Sequence, residues 1–112
     1  MNSATQRRGT AALVIAAALL DDDEQVEAVV CGEYHGHDAV LVVTGQRALS
    51  VSTRPYKPDT KSIDRTAIGE VNGWIESNRA TLRLVGQDQE IVVGDIKELD
   101  DAQSVAKILR GT

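Results

Sequence analysis

The sequence predicts a single, mainly β domain of the α+β class, with about seven short antiparallel strands and a helix at each end. Three observations predict it. The chain has 112 residues, fewer than the ~150 of an average domain, which leaves no room for a second folded unit. Its apolar residues are aliphatic, with thirteen Val, seven Ile and nine Leu against no Phe and only Trp74, Tyr34 and Tyr56 as aromatics. That excess of β-branched side chains favours pleated, half-buried surfaces. Apolar residues also recur at two-residue spacing in short runs between turn residues, whereas a helical period is confined to the two ends.

The N-terminal helix is predicted from Ala11 to Leu20, where Leu13, Ala16, Ala17 and Leu20 form one stripe that Ile15 and Leu19 widen. Arg7 and Arg8 ahead of this stretch match the basic start of a signal peptide. The stretch is too short to cross a bilayer. The acidic run Asp21 to Glu24 and the five Ala among its ten residues favour a retained packing helix. Residues 1–22 therefore read as a helical extension and residues 23–112 as the domain proper.

A first strand follows over Gln25 to Tyr34, with Val26, Ala28, Val30 and Gly32 on one face and Val29 and Cys31 on the other. Ala39 to Val43 is a continuous apolar run too short for a helix and reads as a second strand. A turn over Thr44 to Arg47, with Gly45 expected at positive φ, leads into a third strand over Ala48 to Thr53, whose Leu49 and Val51 alternate with Ser50 and Ser52. Pro55 and Pro58 make residues 54–60 a loop, and Ile63 marks a short fourth strand. In the fifth strand Val71, Gly73 and Ile75 share one face; if that face is core, Trp74 lies outside, either covered by the N-terminal helix or at a subunit contact. The polar turn Ser77 to Arg79 connects it to a sixth strand carrying Leu82 and Leu84, and Gly86 to Asp88 turns into a seventh with Ile91 and Val93. Leu99, Ala102, Val105, Ala106 and Leu109 then fit one face of a C-terminal helix. Asp95 and Glu98 have the spacing of a capping box, Lys107 and Arg110 complement the last turn, and Gly111 stops it.

The order of elements, with LVVTGQRALSV at Leu41 to Val51, resembles the bacterial pleckstrin-homology-like domains, which often read as apolar strand, Thr, two turn residues, Arg, apolar strand. IDRTAIGEV at Ile63 to Val71 is similar to the next landmark of that family, and the apolar helix after Ile91 to Ile96 is similar to its last. The resemblance runs from residue 25 onward. It implies a PH-like split barrel of about seven antiparallel strands, one end closed by the C-terminal helix, with the N-terminal helix outside the shared core. Such scaffolds host lipid binding, peptide binding and assembly alike, so fold carries over more firmly than function.

The formal net charge of −5 argues against wrapping a nucleic-acid backbone, so no nucleic-acid partner is expected. Within this acidic chain Arg47, Arg54, Lys57, Lys61 and Arg65 form a basic cluster suited to an anionic lipid headgroup or a small anion. A solvated loop explains the same residues. Cys31, Glu33, His35 and His37 recur at two-residue spacing and include metal-binding chemistries. Gly36 interrupts that strand, a polar strand end accounts for them, and neither a metal site nor a cofactor is assigned. No nucleophile elbow or phosphate loop is present, so catalysis is not expected; a metal-dependent enzyme is the least favoured alternative. The lone Cys31 fits a reducing, cytoplasmic setting. The expected function is a small non-catalytic binding or assembly module acting on a protein partner or on itself as a homo-oligomer, with Leu13, Leu20 and Trp74 as interface residues. Anion binding through the basic loop is the alternative.

Overall fold

Alternation from residue 26 onward produces seven strands: β1 (Val26–Tyr34), β2 (His37–Thr44), β3 (Arg47–Ser52), β4 (Asp59–Asp64), β5 (Glu70–Glu76), β6 (Arg79–Val85) and β7 (Glu90–Ile96). A single 3-10 turn, Arg65–Ala67, joins β4 to β5. Residues 15–19 form the described part of helix α1, and α2 spans Leu99–Arg110. The computed structural model describes residues 15–34, 36–53 and 59–110, with only the backbone of Asp59. All strand pairs are antiparallel, in the order β4-β3-β2-β1-β7-β6-β5. The sheet bends but does not close, so β4 and β5 are its edges.

Turn chemistry sets the register. Tyr34 pairs with His37, leaving a two-residue turn in which Gly36 takes φ 80°. Glu76 pairs with Arg79 around Ser77 and Asn78, at φ 50° and 61°, a two-residue hairpin whose twist matches that of the strands. Gly45 is not among the positive-φ residues, contrary to expectation. There the Thr44 hydroxyl makes the turn instead, accepting the Gln46 and Arg47 backbone N–H groups at 3.1 Å each. The capping box is also displaced. Asp95 lies inside β7 at φ 50° and pairs with Arg79 at 3.2 Å, so it cannot cap a helix that starts at Leu99.

The apolar run of β2 is buried on both faces. Leu41 and Val43 face inward with Val30, Ala48, Leu84 and Ile91, and the α2 stripe Ala102, Val105, Ala106 and Leu109 closes that core. Val40 and Val42 face outward with Cys31, Leu49 and Val51, where Ala16 of α1 covers them, flanked by Ile15 and Leu20. The third strand is therefore apolar on its outer face, and Ser50 and Ser52 point into the barrel. The stripe of α1 is narrower than predicted, because Ala17 and Leu19 are exposed. One cluster ties this helix down. Glu24 accepts bonds from Arg47 Nε (3.1 Å) and Nη2 (2.8 Å) and from the Thr44 hydroxyl (2.8 Å), while Arg47 Nη2 also donates to the Leu19 carbonyl at 2.7 Å. These bonds to its charged form hold the Glu24 carboxyl at about 2, below its ordinary 4.5.

Candidate functional site: the groove between β5 and α2

The inner face of the β5–β6 hairpin extends past the end of the core, and α2 runs beside it without filling the space between. The result is a groove of about 680 Å³, within the range of built binding clefts. Gly73, Ile75 and Leu82 contribute from the hairpin, and Leu99, Ala102 and Ala106 from the helix. Two features of the sequence open it. Gly73 has no side chain where one would stand on the floor, 3.3 Å from Leu82 Cδ2. Ala102 and Ala106 give α2 a low surface on the same side. Ile75, expected to be buried, is consequently 51% exposed, and Trp74 beside it is 45% exposed.

Strand β5 also offers backbone. A two-residue turn closes on a hydrogen-bonded pair, here Glu76–Arg79, so by alternation residues 74, 72 and 70 bond to β6 while 71, 73 and 75 present N–H and C=O to the free edge. Arg110 agrees with this phase: its Nε and Nη2 donate to the Val71 carbonyl at 3.2 and 3.1 Å. Gly73 and Ile75 follow along that edge. The polar rim is one-sided, with Gln103, Lys107 and Arg110 from the helix and no carboxylate among the described residues that line the groove.

The interface residues expected from the sequence do not form one surface here. Leu20 packs on the outer core with α1, Trp74 stands at the groove rim, and Leu13 lies outside the described residues. The basic cluster is divided as well. Arg47 holds Glu24, while Arg65 holds Glu27 at 2.9 Å and donates to the Thr44 and Ile108 carbonyls. Lys61 faces the barrel mouth opposite Ser50, donating to the Tyr34 hydroxyl (3.1 Å) and the Glu90 carbonyl (3.2 Å) with its ammonium 4.8 Å from the Tyr34 ring centre. Arg54 and Lys57 lie outside the described residues. Of the spaced polar set, Cys31 is fully buried beneath α1, His35 lies outside the described residues, and no group of three or more potential ligands gathers among the described ones. No helix among the described residues is long and apolar enough to cross a membrane.

Sequence reasoning missed the groove. Lys107 and Arg110 read as charges complementing the helix end, and Ala102 and Ala106 as core. Gly73 was the available signal, since an isolated glycine inside a strand marks a place where something approaches closely.

No protein-family model and no curated protein matches the sequence. Among solved structures, the chain is similar to a DUF1696 family protein with a pleckstrin-homology domain from Shewanella loihica PV-4. The TM-score is 0.57 at 19% identity, over 91% of this chain and 95% of that one. Residues 25–112 make up a smaller share than 91%, so the match takes in part of the N-terminal segment that the sequence resemblance left out. Strand order, the capping C-terminal helix and this likeness agree: the fold is pleckstrin-homology-like.

Proposed function

We propose that the chain is a non-catalytic protein-binding module that takes a polypeptide segment in the groove between β5 and α2. The observation that carries this reading is an apolar groove lying against a strand edge whose Gly73 and Ile75 backbone groups face outward. A bound strand would satisfy those groups and bury its side chains in the groove at once, the mode of strand addition. Self-association is the second reading, favoured by the half-exposed Trp74 at the same edge. The packing of α1 on its own chain withdraws one reason for it. Anion binding rests chiefly on Arg54 and Lys57, since Arg47 and Arg65 already hold carboxylates.

Panning a displayed random-peptide library on the protein tests the reading, with a Gly73→Leu variant, its fold checked by circular dichroism, as counter-screen. Clones held by the native groove and lost on the filled one are expected. Clones that bind both forms equally would place the binding surface elsewhere, and a stable oligomer in light scattering at micromolar concentration would move the assignment to self-association.

A further inference from the structure

We infer that the groove selects an extended segment with apolar side chains at alternate positions and an acidic residue at the end that lies over Val71. This rests on reading the groove as the binding surface. Three observations choose that occupant. The chain carries 17 acidic residues against 12 basic ones, yet the groove wall has Lys107 and Arg110 and no carboxylate among its described residues. Arg110 sits over the Val71 end of β5, fixed there by its two bonds to that carbonyl, so the positive end of the groove is defined. Lys107 stands one helical turn before it, exposed and without an ion-pair partner among the described residues. A carboxylate arriving at this end meets both cations; a basic residue meets repulsion.

A second copy fits less well. Pairing β5 with itself about Gly73 sets Glu70 of each copy opposite Glu76 of the other, two like-charge contacts that oppose association. It also demands the Val71 carbonyl that Arg110 occupies. The chain's own residues 1–14 have Arg7 and Arg8 and no acid, the wrong sign for this rim. The occupant is therefore a segment of a different protein.

Two blocked synthetic peptides test this, each alternating valine and threonine, one ending in paired aspartates and the other in paired lysines, because antiparallel addition to β5 sets the C-terminal end of the peptide over Val71. Trp74 is the chain's single tryptophan and reports occupancy by its emission. The aspartate peptide should shift that emission and bind about fivefold more tightly than the lysine peptide, the upper range for an exposed ion pair. Lys107→Glu, a substitution at an exposed helix position, should erase the preference, since the new carboxylate offsets Arg110. Equal affinities, with both peptides lost in Gly73→Leu, would refute the charge selection and leave the groove reading standing. Binding of neither peptide would refute both, and emission shifts that track protein concentration without peptide would identify a second copy as the occupant.

Discussion

Replacing Gly32 by alanine tests whether the two halves of the sheet join where the structure joins them. Gly32 lies on the inner face of β1, where that strand crosses β7 and pairs through Glu33 and Gly94. A Cβ there would meet the Gly94 carbonyl oxygen in hard contact and stand 2.7 Å from Val93 Cγ1 and 2.9 Å from Ile96 Cγ1. Carbon atoms pack at about 3.5–4.0 Å, so β7 must recede by roughly 1 Å along its length. The obstacle is backbone, which cannot swing away as a side-chain tip can. Overpacking alone costs about 1–3 kcal/mol, and separation of β1 from β7 loosens the junction between the two halves of the sheet. We expect a loss of about 3 kcal/mol or more, a large part of the 5–15 kcal/mol typical of a domain, with a fall in Tm of roughly 10 °C or more. Urea unfolding followed by circular dichroism measures it. Gly45→Ala is the control, since its Cβ meets only Glu27 Oε2 at 3.4 Å and should change stability by no more than about 0.5–1 kcal/mol. A Gly32→Ala protein within about 0.5 kcal/mol of the native one, at unchanged m-value, would refute the reasoning.

The tether of α1 should depend on acid. Because the Glu24 carboxyl is lowered from 4.5 to about 2, its contribution is fully present above pH 4.5 and is lost as the pH falls toward 2. The protection of residues 15–20 against hydrogen exchange, measured relative to the intrinsic rate at each pH, should fall across that window in the native protein, while Glu24→Gln should show low protection already at neutral pH and no further change from this group; high protection in the variant would mean that packing alone holds the helix. Trp74→Ala should cost less than about 1 kcal/mol of folding stability, against the 3–5 kcal/mol of a buried aromatic, because the indole is 45% exposed. A cooperative loss of the larger size in thermal unfolding would make Trp74 a core residue and remove it from the groove.

Period and turn residues made most of this fold legible. The seven strands and the C-terminal helix follow from alternation that switches to a 3.6 period after Ile96, while their antiparallel assembly into a split barrel is what the family resemblance implied. Face assignment was harder, because a strand covered on both sides carries no polar face to fix its phase. The alternation of Leu49 and Val51 with Ser50 and Ser52 thus left open which pair faces the barrel, and α1 decides it by covering Leu49 and Val51 on the outer face. The roles of Gly45 and Asp95 failed for a different reason: the Thr44 hydroxyl makes the turn at Gly45, and Asp95 takes its positive φ in the bulge where the register of β7 on β6 shifts between Ala80 and Leu82. The basic cluster depended on tertiary structure too, since nothing local announces that Arg47 meets Glu24 or that Arg65 meets Glu27.

The two edges of the open sheet differ in a way that supports placing the proposed binding surface on β5. An exposed strand edge invites pairing with other chains, and proteins commonly blunt it with charge. Strand β4 has that protection, with Asp59, Lys61 and Asp64 spread along six residues. In β5 the charges stand only at the ends, Glu70 and Glu76, and the five residues between them are Val-Asn-Gly-Trp-Ile. Its central stretch is therefore open, apolar and bordered by a helix that keeps its distance. Placing a single charge at the centre, as β4 does, would have removed the hazard at little cost to folding, since residues 73–75 are exposed. An edge left bare beside a groove with cations at one end has the form that the proposed strand addition requires.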